Sequence, residues 1–341
     1  MESGKYAPKP TNHPRGRLSP GSQQTTPEVV CSSRERMERN ASREMNKAFF
    51  EDTVRHCRED STLAASIEAS VRQQMAILEG RSLVSFGNGM DKDSSIKLHR
   101  FEEPACVTVS MKRTFEAARA YTDEGMKTVV LNFASATKPG GGVEKGSVAQ
   151  EEALCKCSTL YFCINTRRMW DEFYQPHRNA YNYLHNDDCI YTPNVTVFKS
   201  DTATPSMLPQ DEWYQVNVIT CAAPKLWQYT HHSDKPGEGY ATVEVTDEEL
   251  RKIHVKRLRR ILDIAAANGD EAVILGAFGC GAFHNNPDVV ASAASEVIED
   301  YLHAFRAIEF AIYSSPRRQH NYLTFEQMLH KYTKSHREDS N

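Results

Sequence analysis

The spacing of apolar side chains changes character twice along the chain. Up to residue 38 there is no apolar period, and Pro8, Pro10, Pro14, Pro20 and Pro27 stand among serine, threonine and glycine. Such a segment buries too little apolar surface to offset its ordering entropy, so residues 1–38 are expected to be a disordered tail. From there the period is helical. Met45, Ala48 and Phe49 share one face, and Phe50, Val54 and Cys57 continue at similar spacing. Asp60-Ser61 supplies an N-cap, after which Leu63, Ile67, Val71 and Leu78 trace a second stripe that ends at Gly80. Residues 39–104 therefore read as a helical region whose stripes are core.

Over residues 105–333 two periods alternate. Short apolar or β-branched runs at 105–110, 127–133, 191–198, 216–221, 272–275 and 308–313 read as strands. Between them the spacing predicts helices over 114–122, 150–166, 246–269 and 324–332, one more from 287, and shorter pieces near Trp170 and Tyr181. Thr246 and Glu249 form a capping box, and Asn286 caps a helix with Pro287 at its first position. Pro193 puts its strand at a sheet edge or confines the proline to the strand's start. Residues 225–245 show no period and read as a long loop, a length that in a compact domain is usually functional or disordered. Strands alternating with helices imply an α/β sandwich with a mostly parallel or mixed central sheet.

Two strand-to-helix junctions carry the candidate chemistry. The first reads KPGGGVEKGSVAQEEALCKCSTLY: Gly140, Gly141 and Gly142, a seven-residue connector from Val143 to Ala149, then Gln150, Glu151 and Glu152. A glycine triplet sacrifices backbone entropy unless the chain needs positive φ or a ligand lies against its amides. Glycine loops between a strand and a helix commonly cradle an anion, often a phosphate. Two carboxylates beside such a loop suggest chemistry next to a phosphate. The second junction, GAFGCGAF, places Gly276, Gly279 and Gly281 just after a strand; it fails the GxGxxG spacing of a dinucleotide fingerprint.

A glycine triplet followed at this spacing by Gln-Glu-Glu resembles the signature of the poly(ADP-ribose) glycohydrolases. The flanking NFASATKPGGG and QEEALCKCSTLY resemble the microbial-type branch, over roughly residues 40–315. The resemblance implies a macrodomain-like three-layer α/β/α catalytic domain over 105–333, and hydrolysis of ribose–ribose bonds without metal or organic cofactor. It assigns Glu152 as the acid that protonates the leaving oxygen and later activates water, and Glu151 as the residue holding ribose hydroxyls. Asn132 and Ser135 would meet the ribose, and Gly140, Gly141, Gly142 and Gln150 belong to the same motif. Gly279, Cys280, Gly281 and Ala282 would form the diphosphate loop, with Phe283 beside the terminal ribose. Two other outcomes stay open on sequence: a macrodomain that only binds ADP-ribose, and a hydrolase of mono-ADP-ribosyl groups.

Composition narrows this further. A net charge of −4 is unlike that of a non-specific nucleic-acid binder, and no apolar run reaches the 18 residues a spanning helix needs. No secretory h-region is visible near the start, so an intracellular protein, cytoplasmic or nuclear, is expected. Its expected partners are poly(ADP-ribose), ADP-ribose and ADP-ribosylated proteins, with neither membrane nor sequence-specific nucleic acid among them. Nine cysteines without a CxxC pair read as reduced, mostly buried thiols, and Cys155-x-Cys157 without a histidine at ligand spacing is a poor zinc site.

Overall fold

The computed structural model describes residues 33–78, 98–229 and 240–333. Six strands form one sheet: β1 (Cys106–Ser110), β2 (Thr128–Phe133), β3 (Cys189–Val197), β4 (Tyr214–Cys221), β7 (Ala272–Leu275) and β8 (Ala307–Ala311). Their order is β1-β8-β7-β2-β4-β3. All neighbours run parallel except β3, which lies antiparallel to β4 at the edge, with a register shift around Pro193. A proline costs a ladder bond anywhere else, so edge and bulge are where it is tolerated. Central β2, TVVLNF, is buried on both faces, the continuous apolar run that a parallel sheet covered on both sides requires.

Alternate residues of β2 feed two cores. Val129 and Leu131 pack with helices α6 (Asp247–Ala267), α7 (Pro287–Ile298) and α8 (His320–Thr333) through Ile261, Val297 and Phe325. Val130 packs on the other side with Phe115 of α3 (Thr114–Asp123) and Leu154 of α4 (Gln150–Cys157). The result is the expected three-layer sandwich with N-terminal helices added. The Thr246–Glu249 capping box and the Asn286 cap with Pro287 both form.

Several elements differ from expectation, each for a local reason. Helix α1 (Ser33–Glu59) starts inside the segment expected to be a tail; residues 1–32 lie outside the described residues. Its buried face is Asn46, Phe50, Thr53 and Cys57, while Met45 and Ala48 are exposed and Phe49 is half-buried. Two polar positions are buried because lysines reach them. Lys156 donates to Asn46 at 2.5 Å, and Lys199, itself buried, donates to Asp52 and Thr53 at 2.7 and 2.8 Å. Thr53 in turn donates to the Lys156 carbonyl at 2.5 Å, locking α1 onto α4. Helix α2 (Ser61–Ile77) is capped by Asp60 as expected, but Ser70 and Gln74 share its buried face, and it ends before Gly80.

The helix expected over 150–166 is interrupted. Ser158 is extended (φ −146°, ψ 176°) between α4 and α5 (Leu160–Ile164). Its hydroxyl donates to the Leu154 carbonyl and accepts from the Leu160 amide, and the Thr159 amide donates to Thr196 on β3. Serine and threonine offer the backbone such alternatives to helical bonds. Within 225–245, expected to be irregular, two short antiparallel strands form, β5 (Trp227–Tyr229) and β6 (Tyr240–Thr242).

Candidate active site

A cleft of about 380 Å³ opens at the carboxyl ends of β1, β8, β7, β2 and β4, the end of an open parallel sheet where ligands bind. Of the residues expected from sequence, Ser135, Gly141, Gln150, Glu151, Glu152, Gly279, Gly281, Ala282 and Phe283 line it.

Both carboxylates are buried, Glu151 at 2% and Glu152 at 6% exposure. Glu151 is held from β2 and the loop after it. Its carboxylate accepts from the Ser135 amide at 2.7 Å, the Gly140 amide at 3.1 Å and the Asn132 side chain at 3.5 Å. Glu152 has one anchor, the Gly142 amide at 2.8 Å on Oε1, and its Oε2 is buried with no hydrogen-bond partner. Although the two side chains leave the helix on different faces, they converge on Gly141. A Cβ added there would lie 2.7 Å from Glu152 Oε1 and 3.0 Å from Glu151 Oε2.

This changes the reading of the glycine triplet. Gly140 (φ +67°) and Gly141 (φ +55°) take the left-handed conformation that glycine alone adopts without strain. Their amides, however, cradle no external phosphate. Gly140 and Gly142 bind the two glutamates, and Gly141 donates to the Lys138 carbonyl. The anions that these amides hold are the protein's own carboxylates.

Two further expectations shift. Asn132 is fully buried below the cleft and donates to Thr220 and Glu151, so it orients Glu151 and does not line the cleft. Gln150 bridges elements: its Oε1 accepts from the Phe133 amide at 2.9 Å, and its Nε2 donates to the Leu131 carbonyl and Thr114 hydroxyl at 2.8 and 3.0 Å. That fixes the first turn of α4 to the end of β2.

The second loop has the electrostatics the first lacks. The carbonyls of Gly279, Gly281, Ala282 and Phe283 are all engaged, by Asn285, His284, the Trp227 indole and Leu226 respectively. Among the described residues, the amides of Gly279, Gly281, Ala282 and Phe283 donate to no protein acceptor. A run of unpaired amides beside a cleft is an anion nest. Cys280 does not belong to it. Its amide donates to Ala277, the residue is not part of the cleft lining, and burial pushes the thiol up to about 12.

Sequence reasoning missed the far rim: Arg113, Thr114, Asp201, Tyr313 and Asn321. Arg113 lies over the Tyr313 ring at 4.0 Å, and Asp201 accepts from the Phe115 amide at 3.0 Å. These positions come from three separate stretches of the chain, but Arg113 and Tyr313 each follow a strand end, β1 and β8. Strand-end position is the signal that could have found them.

Electrostatics single out Glu151. Burial pushes Glu151 up to about 8, reinforced by the neighbouring Glu152 charge and opposed by the amides it accepts from. Among the described residues, no group of three or more His, Cys, Asp or Glu is placed to hold a metal ion, and no helix is long and apolar enough to cross a membrane.

Comparison with known proteins agrees with this geometry. The family "Microbial-type PARG, catalytic domain" matches residues 35–200, which include the glycine triplet and both glutamates. The chain is similar to the poly(ADP-ribose) glycohydrolase of Thermomonospora curvata, at 25% identity and a TM-score of 0.65 over 84% of this chain and 100% of that one. The same enzyme bound to the inhibitor ADP-HPD aligns at 25% identity with a TM-score of 0.63, over 84% and 99% of the two chains. The Deinococcus radiodurans glycohydrolase in complex with ADP-ribose aligns at 30% identity with a TM-score of 0.58, over 74% of this chain and 98% of that one. Comparison with the sequences of curated proteins gave no match. A macrodomain-like sandwich with a carboxylate pair held by a glycine triplet, 30% identical to a glycohydrolase of which it covers 98%, places this chain in the microbial-type poly(ADP-ribose) glycohydrolase (PARG) family.

Proposed function

We propose that Glu152 is the general acid and base with which this poly(ADP-ribose) glycohydrolase cleaves ribose–ribose O-glycosidic bonds and releases ADP-ribose. The observation that carries the assignment is the contrast within the pair: Glu151 is anchored on both oxygens, whereas Glu152 keeps one buried oxygen without a partner. Two carboxyls this close in a site of low dielectric discourage the second ionisation, so the pair retains a proton near neutrality. The amide nest after β7 receives the diphosphate, and Phe283 stands against the terminal ribose.

Bond cleavage passes through an oxocarbenium-like state. The bond between the anomeric carbon and the leaving oxygen breaks, and Glu152 gives that oxygen its proton. Water then adds to the anomeric carbon and returns a proton to Glu152. Glu151, its orientation set by Asn132, Ser135 and Gly140, holds ribose hydroxyls through this exchange. Incubation with defined poly(ADP-ribose) and, separately, mono-ADP-ribosylated protein tests the reading. Release of ADP-ribose from the polymer is expected. Binding without release would make the protein a reader, and release from the mono-modified protein alone would make it a mono-ADP-ribosyl hydrolase.

The raised Glu151 value sets a pH dependence. The folded state holds this proton more tightly than the unfolded chain, whose ordinary glutamate value is 4.5. The stability this contributes is therefore full below about 4.5 and lost as pH rises through about 8. The melting temperature should fall between pH 6 and pH 9 (about one unit or more on either side of the transition), and Glu151→Gln should flatten that fall. An equal fall in the variant would remove Glu151 as its source.

Phe283 is half-buried, with its ring 6.4 Å from that of His185. Phe283→Ala should weaken ADP-ribose binding in calorimetry while costing less stability than the ~3–5 kcal/mol of a fully buried phenylalanine. Unchanged affinity would assign the ring to packing alone.

A further inference from the structure

The amide nest after β7 depends on a side chain outside it. Asn285 is 2% exposed and ties together three segments. Its Nδ2 donates to the Pro224 carbonyl after β4 at 2.6 Å and to the Gly279 carbonyl at 3.1 Å, and its own amide also donates to Gly279 at 3.0 Å. These bonds turn the Gly279 carbonyl toward the protein, which leaves the neighbouring amides facing the other way. Gly279 is left-handed (φ +82°), and a Cβ there would lie 2.7 Å from Ala223 and 2.8 Å from Asn285 Nδ2, so loop and side chain are in direct contact.

Asn285 is itself oriented from α6. Its Oδ1 faces Nε2 of fully buried His254 at 2.8 Å. Because the Asn285 side-chain nitrogen donates to the Pro224, Gly279 and Phe283 carbonyls, Oδ1 must accept, so His254 carries its proton on Nε2. Burial holds the imidazole neutral, its value lowered to about 4, and its ring packs edge-on against Phe278 at the base of the loop. One turn along α6, Arg257 donates to the Ala222 and Leu184 carbonyls at 2.8 and 2.6 Å, fixing the segment that Asn285 grips at Pro224.

We infer that Asn285, oriented by His254, is a positioning residue that presets the loop after β7 in its anion-binding conformation before substrate arrives. Neither residue lines the cleft itself, and Asn285 meets its lining only through the loop residues Gly279 and Phe283, so the pair's effect must pass through the loop. The inference rests on the reading of that loop as the diphosphate cradle, and the test separates the two.

The experiment measures ADP-ribose affinity by calorimetry and kcat and KM on poly(ADP-ribose) for the full chain and for Asn285→Ala, His254→Leu and His254→Gln, with melting curves for each. Glutamine can still donate one N–H to Asn285 and leucine cannot. Leaving a buried polar group unpaired costs enough to change an equilibrium by ~10-fold or more. Asn285→Ala and His254→Leu should therefore weaken ADP-ribose binding and raise KM by about 10-fold, with kcat much less affected and His254→Gln recovering most of the affinity. If the wild type binds no ADP-ribose, the diphosphate reading fails. If the wild type binds and the variants bind equally well, or lose kcat at unchanged affinity, only the positioning role fails. Failure of the alanine and leucine variants to fold would assign the pair to stability and overturn the inference.

Discussion

Glu152→Gln should lower turnover on poly(ADP-ribose) by at least ~10³-fold while leaving the protein folded and ADP-ribose bound. Glutamine keeps the size of the side chain and can still accept from the Gly142 amide, the single anchor of Glu152. It cannot give a carboxylic proton to the leaving oxygen or take one from water. General acid–base catalysis is worth ~10²–10⁴-fold, and a poorly stabilised alkoxide leaving group puts this case toward the upper end. Affinity for ADP-ribose should hold or rise slightly, since the pair can then carry at most one negative charge beside the diphosphate. Glu151→Gln should behave differently. Glu151 takes hydrogen bonds on both oxygens from Ser135, Gly140 and Asn132, so an amide nitrogen in place of one oxygen faces a donor. The first turn of α4 must then adjust, and binding and turnover should fall together. Steady-state kinetics with calorimetry on both variants separates the roles. Near-wild-type turnover in Glu152→Gln with abolition in Glu151→Gln would reverse them.

How far the site could be read from sequence follows from what each kind of position signals. The apolar run at 128–133 and the glycines after it mark a buried parallel strand ending in a loop of unusual backbone, and both are found. Pairing of that loop with Gln150, Glu151 and Glu152 was legible because seven intervening residues fix their approach. The direction of the loop's amides was not, since a glycine triplet serves a bound phosphate and an internal carboxylate with the same letters. Asn132 illustrates the same limit: a polar residue at a strand end reads as a ligand contact, yet its side chain is spent on Thr220 and Glu151.

Polar burial is the other blind spot. The face of α1 that meets α4 includes Asn46 and Thr53, which hydrophobic periodicity counts as exterior. They are interior because Lys156 and Lys199 extend buried ammonium groups to them, partners more than a hundred residues away. The break at Ser158 has a local cause that sequence does carry, since serine followed by threonine can satisfy backbone groups off the helix. A helical spacing of Leu154, Cys157, Tyr161 and Ile164 outweighed it, although the two helices keep Leu154, Cys157 and Ile164 buried across the break.

Gly141→Ala should abolish most of the activity by displacing both glutamates at once. Two costs arise, and they can be told apart. The first is conformational: at φ +55° an alanine pays the left-handed penalty of ~1–2 kcal/mol. The second is steric, because the new methyl carbon would sit 2.7 Å from Glu152 Oε1 and 3.0 Å from Glu151 Oε2. Neither oxygen can yield freely. Glu152 Oε1 is bound to the Gly142 amide and Glu151 Oε2 to the Ser135 amide, so a retreat of either carboxylate breaks its anchor. A shift of about 1 Å in a catalytic group can cost ~10²-fold in rate, and here both groups shift, so a loss of ~10²-fold or more in kcat is expected. ADP-ribose affinity should change less, because the amide nest after β7 belongs to another loop. Gly269→Ala supplies the control: Gly269 is also left-handed (φ +76°) but an added Cβ there meets nothing within 4 Å. That variant should show only the conformational loss of stability in thermal melts and keep wild-type turnover. Comparable kcat in the two variants would mean that the methyl at position 141 leaves the carboxylates in place, and that their convergence on this glycine has no part in catalysis.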